Sequence, residues 1–359
     1  MYIRKALQSS SFYFAVVQLY NMRKIAINGF GRIGRLLFRQ LCEKNEFQIV
    51  AINDLGDIEN LAYLLQHDTV YGRFEAEVKV KSNHLVVAGH EVQILQEKDP
   101  SKLPWRMLGI DIAIEATGAF ESYEKARVHL EAGAKRVVIT APATDEDTED
   151  AKTVLVGVNE DELSRIVISS NGSCTTNAAS PVVEVLRENP GIQKALLNTV
   201  HGYTATQNLV DGPTRGKDFR RGRAAAQNIV PSSTGAAVSV TRVVKELQGK
   251  FDGIALRVPV AAGSIADITF LAKRATSVQE INDILTEASQ SPRWKGIFKV
   301  TKEPLVSSDI IKEPYGAIVD LNFTRVVDGD LVKVLSWYDN EWGYAALLLK
   351  HLEAVARFL

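Results

Sequence analysis

Cysteine is nearly absent from this chain of 359 residues, which has only Cys42 and Cys174. That excludes a disulfide-stapled secreted scaffold and points to a reducing, cytoplasmic setting. The six histidines are scattered and none clusters with cysteine, so the sequence holds no metal-site spacing. No stretch approaches the roughly 18 consecutive apolar residues of a membrane-spanning helix. Charge of one sign is lacking too: 42 Lys and Arg balance 43 Asp and Glu. A chain built to coat nucleic acid or an acidic membrane is therefore not expected. What is there is ordinary for a globular protein, with 46% hydrophobic and 24% charged residues. The length suffices for about two domains with cores of their own.

The first 21 residues stand apart. Phe12 to Tyr20 is apolar but short, Arg4 and Lys5 precede it, and the first acidic residue is Glu43. A targeting segment has this charge pattern, yet no small-residue cleavage site follows. Met22 stands directly before Arg23-Lys24 and a clean strand pattern, as it would if residues 1–21 were an extension upstream of the working start.

Lys24 to Asn28 reads as a buried parallel strand running into Gly29-Phe30-Gly31-Arg32-Ile33-Gly34. Arg35 to Glu43 then has helical spacing, and a second strand, Phe47 to Ile52, ends at Asn53-Asp54, with Asp54 20 residues beyond Gly34. In a βαβ dinucleotide site Gly29 permits the tight turn, Gly31 admits a pyrophosphate, and Gly34 lets helix and strand pack closely. The helix N-terminus attracts phosphate, and Asp54 can accept from ribose hydroxyls. Cys42, on the apolar side of that helix, is expected in the core. Further strands are predicted at Leu85–Val87, Glu91–Gln96, Ile110–Glu115, Arg136–Thr140, Val154–Val158 and Arg165–Ser169, with a helix at Tyr123–Ala132. Such alternation predicts a mostly parallel, doubly wound sheet, with ligands at the strand C-termini near Thr117 and Thr140.

Cys174 falls between a strand and a helix pattern from Ala178 to Glu188, among Ser, Thr and Asn neighbours. A helix N-terminus there is expected to lower the thiol pKa. His201 ends a second strand, Leu196 to His201, and together the two make a nucleophile–base hypothesis.

With these pieces the sequence resembles the phosphorylating glyceraldehyde-3-phosphate dehydrogenase family. The resemblance is carried by INGFGRIGR (27–35), AINDL (51–55), EATGAF (115–120), GSCTTN (172–177), TVHGYT (199–204), RRGRAAAQNIVPSSTGAA (220–237), RVPV (257–260) and SWYDNEWGY (336–344). It extends from Met22 to the C-terminus, and residues 1–21 have no counterpart. The resemblance implies that Cys174 attacks the aldehyde of glyceraldehyde 3-phosphate and that His201 is the general base. Oxidation by NAD then leaves a thioester that inorganic phosphate cleaves to 1,3-bisphosphoglycerate. It assigns Thr204 and Arg257 to the substrate phosphate. Ser173, Thr175, Thr234, Gly235 and an arginine of the 220–223 run, Arg221 or Arg223, go to the attacking phosphate. For the cofactor it points to Arg32, Ile33, Asp54, Lys98, Thr117, Thr140, Asn340 and Tyr344, beside Gly29, Gly31 and Gly34.

It further implies a Rossmann domain over 22–173, a catalytic domain over 174–339 with a mixed, mainly antiparallel sheet flanked by helices, and a helix over 344–359 packing back on the first domain. A homotetramer follows from the resemblance as well. Four places depart from the family's pattern: Ala178 where a second cysteine is usual, Thr206 in place of an acid that supports Arg257, the turn Ala261–Ser264, and Gly212 within an altered loop. Asp54 would repel a 2′-phosphate and favours NAD, while Gly212 leaves NADP open. The rival readings are erythrose-4-phosphate dehydrogenase, an NADP-linked anabolic isoform, and a non-catalytic nucleotide-binding protein.

Overall fold

The β-branched run before the glycine turn forms β1 (Arg23–Asn28), whose last four residues are buried, in a computed structural model that describes residues 22–214 and 216–359. The N-terminal extension and Arg215 lie outside the described residues. Eight more strands share its sheet: β2 (Phe47–Asn53), β3 (Val78–Lys81), β4 (His84–Val87), β5 (His90–Leu95), β6 (Ile112–Glu115), β7 (Arg136–Ile139), β8 (Ala151–Thr153) and β9 (Ile168–Ser170). Their order across the sheet is β3-β4-β5-β2-β1-β6-β7-β9-β8. Every pairing is parallel except β3 with β4 and β4 with β5. The order reverses direction at β1, so the crevice beyond the C-terminal ends of β1, β2 and β6 is where a ligand belongs in such a sheet.

Three local expectations change. Val154–Val158 is a turn after the short β8 that buries Val154 and Leu155, because Val158 N–H bonds back to the Leu155 carbonyl and Gly157 sits at φ +82°. The helix expected over Tyr123–Ala132 divides into two single turns, Tyr123–Ala126 and Val128–Glu131. Cys42 is exposed, because helix α1 (Arg32–Leu41) ends one residue before it and Cys42 serves as its C-cap. Two elements go beyond those predicted from the sequence: helix α2 (Ile58–Gln66), where Ile58, Leu61, Ala62 and Leu65 fall at helical spacing, and edge strand β3, in which lysines alternate with valines.

The second sheet runs β11-β12-β10-β13-β16-β15-β14, built from β10 (Ile192–Gly202), β11 (Val230–Ser233), β12 (Phe251–Val258), β13 (Ser264–Ala272), β14 (Phe298–Thr301), β15 (Ala317–Val327) and β16 (Leu331–Tyr338). Four of its pairings are antiparallel and two, β10 with β12 and β14 with β15, are parallel. Helices α3 (Cys174–Glu188), α4 (Ala236–Val243) and α5 (Val278–Gln290) bury one face, with Val182, Val183, Leu186, Val240 and Leu285 in the core. Across that sheet Leu196 is 64% and Ile254 54% exposed, an apolar face left open in the single chain.

Helix α6 (Trp342–Ala356) returns to the first sheet and packs Leu348, Leu349, Leu352 and Val355 into the core that holds Leu36 and Leu37 of α1. His351 on this helix is fully buried, its Nε2 2.7 Å from Ser169 Oγ, and burial pushes the imidazole down to about 4. The folded protein thus keeps His351 neutral where an unfolded chain would protonate it, below about pH 6.5. Stability from this group is whole above pH 6.5 and is lost as pH falls toward 4. Between pH 6.5 and 5 the loss is about 1.5 kcal/mol. Urea unfolding of His351→Asn should therefore show a flatter pH dependence over that interval than the parent; equal slopes would refute the account.

Candidate active site

Helix α3 begins at Cys174 with a capping box: Ser173 Oγ accepts from Thr176 N–H at 3.1 Å and Thr176 Oγ1 accepts from Ser173 N–H at 3.1 Å. This sets the nucleophile candidate at the first helical position, four residues before the apolar periodicity that starts at Ala178. Cys174 Sγ lies 3.3 Å from His201 Nε2. His201 sits near the end of β10, and the parallel register with β12 puts Arg257 beside it. His201 Nδ1 is 2.7 Å from the Gly202 carbonyl; a proton there leaves the Nε2 lone pair facing the thiol. Arg257 Nη1 lies 2.6 Å from the same Nδ1; a guanidinium only donates, so with Nδ1 protonated its hydrogen bond goes to the Gly202 carbonyl at 3.4 Å, and donation to Nδ1 belongs to the other tautomer. Arg257 makes no ion pair among the described residues. Behind the pair, Tyr338 OH bridges Thr175 Oγ1 (2.9 Å) and Thr199 Oγ1 (2.7 Å), and its ring meets His201 edge-on.

Burial pushes the Cys174 thiol up, against the opposing pull of Arg257, the Thr175 hydroxyl and the helix N-terminal backbone. The expected lowering is thus corrected: loss of water outweighs the helix terminus. Burial, and then the Arg257 charge, hold His201 down at about 3. The pair rests as neutral thiol and neutral imidazole.

The anion-binding candidates are unevenly placed. Thr204 Oγ1 pairs with Thr206 Oγ1 at 2.9 Å. Arg221 donates to Ser232 Oγ at 2.7 Å, whereas Arg223 is exposed and paired with Asp211 at 2.8 Å. Thr234 Oγ1 accepts from Ala236 N–H at 3.1 Å, and Gly235 opens α4 with no atom near its Cα face. The Ser173 and Thr175 hydroxyls are engaged in the cap and with Tyr338. In the altered 261–264 turn, Gly263 adopts φ +87° where any side chain would meet the Ser307 carbonyl at 2.2 Å. Its N–H donates to Asn340 Oδ1, which also accepts from Ser264 Oγ, and Ser264 Oγ in turn accepts from Gly202 N–H next to His201.

On the first sheet, a cleft of about 500 Å³ is lined by Gly29, Gly31, Asp54, Lys98 and Thr117, joined by Leu55 and Phe120. Gly29 turns at φ +100°, and a Cβ on Gly34 would lie 2.3 Å from the Gly29 carbonyl, as close helix–strand packing requires. No side chain caps α1, so its first N–H groups, those of Arg32 and Ile33, are left for an anionic ligand. The Arg32 guanidinium itself is held by Asp68 and Glu341. Asp54 accepts Phe30 N–H at 2.7 Å and Gly56 N–H at 2.8 Å. Thr140 Oγ1 donates to the Glu115 carbonyl, and Tyr344 OH to the Gly172 carbonyl at 3.1 Å, which steadies the turn before Cys174. The free glycine turn, the uncapped helix and the acid at the end of β2 fit a dinucleotide. Among the described residues no His, Cys, Asp and Glu cluster could hold a metal.

Tyr338, Ser264 and Glu115 went unassigned on sequence grounds. Tyr338 and Ser264 close strand ends, and an alternating pattern does not tell a packed hydroxyl from a bridging one. Glu115 stands on the motif EATGAF and was legible as an acid ending an apolar strand.

A doubly wound sheet with an open glycine turn, joined to a sheet that presents a Cys–His pair, defines a two-domain, dinucleotide-linked oxidoreductase. Family models described as glyceraldehyde 3-phosphate dehydrogenase, NAD binding domain and C-terminal domain, match residues 23–123 and 173–340. The chain is 49% identical over 339 residues to a glyceraldehyde-3-phosphate dehydrogenase of Thermotoga maritima, covering 94% of this chain and 100% of that one. It is 46% identical over 340 residues to that of Clostridium pasteurianum (94% and 99% covered) and 44% over 335 residues to glyceraldehyde-3-phosphate dehydrogenase 2 of Bacillus subtilis (93% and 96%). The chain belongs to the glyceraldehyde-3-phosphate dehydrogenase family, whose members are NAD-dependent oxidoreductases.

Proposed function

We propose that this protein oxidises glyceraldehyde 3-phosphate and phosphorylates it with inorganic phosphate, by covalent catalysis at Cys174. The observation that carries this reading is the 3.3 Å approach of His201 Nε2 to Cys174 Sγ at the first turn of α3. The thiol gives its proton to Nε2 as sulfur attacks the aldehyde carbon, and the imidazolium returns that proton to the oxyanion, which leaves a thiohemiacetal and a free Nε2 lone pair. His201 next takes the hydroxyl proton as hydride leaves, and the thioester that remains is opened by phosphate. NAD, when bound, supplies the hydride acceptor. The Cys174 backbone N–H stands ready for the oxyanion at each stage. Arg257 and Thr204 take the substrate phosphate, and Arg221, Thr234 and Gly235 the attacking one.

The cofactor domain spans 22–173 with the helix over 344–359 added, and the catalytic domain 174–339. Asp54 favours NAD over NADP, since a 2′-phosphate beside this carboxylate would be repelled. Exposed Leu209, Val210 and Phe219 in the loop after Thr204, with the open face of the second sheet, support burial against further copies in a homotetramer. Two unpaired cysteines suit a cytoplasmic setting.

Reduction of NAD and NADP by purified protein with glyceraldehyde 3-phosphate, with and without inorganic phosphate, tests the proposal. Turnover with NAD is expected to depend on phosphate and to exceed that with NADP at least tenfold. Erythrose 4-phosphate as the better substrate, or phosphate-independent turnover, would overturn it.

A further inference from the structure

Beneath the cleft a line of buried polar side chains crosses the first sheet. It starts at Trp105, whose indole N–H donates to His129 Nδ1 at 3.1 Å. An indole nitrogen can only donate, so His129 must carry its own proton on Nε2. That nitrogen lies 3.0 Å from Glu115 Oε2 and donates to it. The same oxygen accepts from Asn28 Nδ2 at 2.6 Å. Oε1 takes the Thr117 N–H at 2.8 Å and also the Thr117 hydroxyl. Asn28 Oδ1 accepts from Asn53 Nδ2 at 2.7 Å, and the Asn53 amide pairs with both backbone groups of Glu97, at 2.9 Å each.

Trp105 and His129 are 0% exposed, Glu115 and Asn28 2%, and Asn53 5%. Every donor direction follows from the first, and both Glu115 oxygens are saturated by two donors. Such a network has one arrangement, and the loss of one donor leaves a buried carboxylate undersupplied. It reaches the cleft at Asn28, Asn53 and Thr117, which line it. A Cβ on Gly29 would lie 2.6 Å from both the Ala116 carbonyl carbon and Thr117 N, so the glycine turn and the Thr117 turn lean on each other. Both line the cleft, while Trp105 and His129 do not.

We propose that Glu115, kept in place by His129 in the tautomer that Trp105 dictates, is a positioning residue for the dinucleotide, acting through Thr117 and Asn28 on the adjoining glycine turn. This rests on the reading of the cleft as the NAD site. Glu115 touches no ligand itself. It fixes the spacing of the two turns between which the cofactor lies, so its loss weakens binding without altering the Cys174–His201 pair.

Calorimetric titration of the intact enzyme with NAD, for the parent and for Glu115→Gln, His129→Leu, His129→Gln and Trp105→Phe, tests the proposal. Glu115→Gln keeps the shape but turns one acceptor into a donor facing donors. Its Kd for NAD should rise about 10- to 100-fold, and that of His129→Leu about 10-fold. His129→Gln, whose amide can donate to the same oxygen, should recover most of the loss. At saturating NAD, kcat should stay within about twofold of the parent, as should the rate of Cys174 alkylation by iodoacetamide without NAD. In the parent, ¹⁵N resonances of His129 should report a neutral Nε2–H tautomer that Trp105→Phe relaxes.

Folded variants that bind NAD like a normally binding parent, or an Nδ1–H tautomer in the parent, overturn the inference alone. A flat isotherm for the parent overturns the cleft assignment and this inference with it. If His129→Leu fails to fold, Glu115→Gln and Trp105→Phe decide the matter by the same two readouts.

Discussion

Cys174→Ser should lower phosphate-dependent NADH formation by about 10⁴-fold or more while leaving NAD affinity and the melting temperature near those of the parent. The size of the effect follows from the surroundings of the sulfur. His201 is held near 3 by burial and by Arg257, which makes it a weak base. A thiol is acidic enough to be deprotonated by such a base as it attacks, but a serine hydroxyl at the same 3.3 Å distance is not. The fold should tolerate the exchange, because the α3 cap is made by Ser173 and Thr176 and does not involve Sγ. Steady-state rates at saturating NAD, with a thermal melt of the same preparation, check both halves. A serine variant retaining more than about 1% of parental kcat would remove the covalent route.

His201→Asn is expected to cost about 10²- to 10⁴-fold in kcat, the usual contribution of a positioned general base. The sign of the pH dependence is set by the same geometry. With its folded pKa near 3, His201 is already deprotonated and able to accept a proton throughout the neutral range. The thiol, pushed up by burial, is the group that gains from rising pH. The parental kcat/KM should therefore climb toward alkaline pH with no inflection near 6.5. In the substrate complex a phosphate on Arg257 screens the charge that depresses the imidazole, so His201 should titrate higher in kcat than in kcat/KM. Rate profiles from pH 5 to 9 for both enzymes decide this. An acid limb near 6.5 in kcat/KM that vanishes in His201→Asn would show that the imidazole of the free enzyme titrates normally and that Arg257 stands elsewhere in solution.

The glycine turn was legible because each glycine answers to a backbone need: positive φ at 29, open space at 31, contact with the Gly29 carbonyl at 34. Strand alternation was legible wherever apolar residues are continuous, as in β1, β6 and β7. It misled at Val154–Val158, where an apolar run forms a turn, and at Cys42, where the helix stops a residue short of the cysteine. The start of α3 was placed late, since the capping box carries no apolar signal of its own.

Residue types and order along the chain determined the doubly wound first unit, the acid at its second strand end and the two candidates for a nucleophile–base pair, because turn, strand and helix preferences act over a few neighbours. Where a side chain's polar groups are used was decided only by tertiary structure. Arg32 is bound by Asp68 and Glu341, Arg223 turns to Asp211, and the Tyr344 hydroxyl holds the Gly172 carbonyl. The charge state of the site belongs there as well. The helix terminus argues locally for a thiolate, but burial and the position of Arg257 against His201 arise from strands β10 and β12 meeting in register, with the two residues 56 positions apart in the chain. Dehydration and long-range charge act through space, and short-range sequence carries neither.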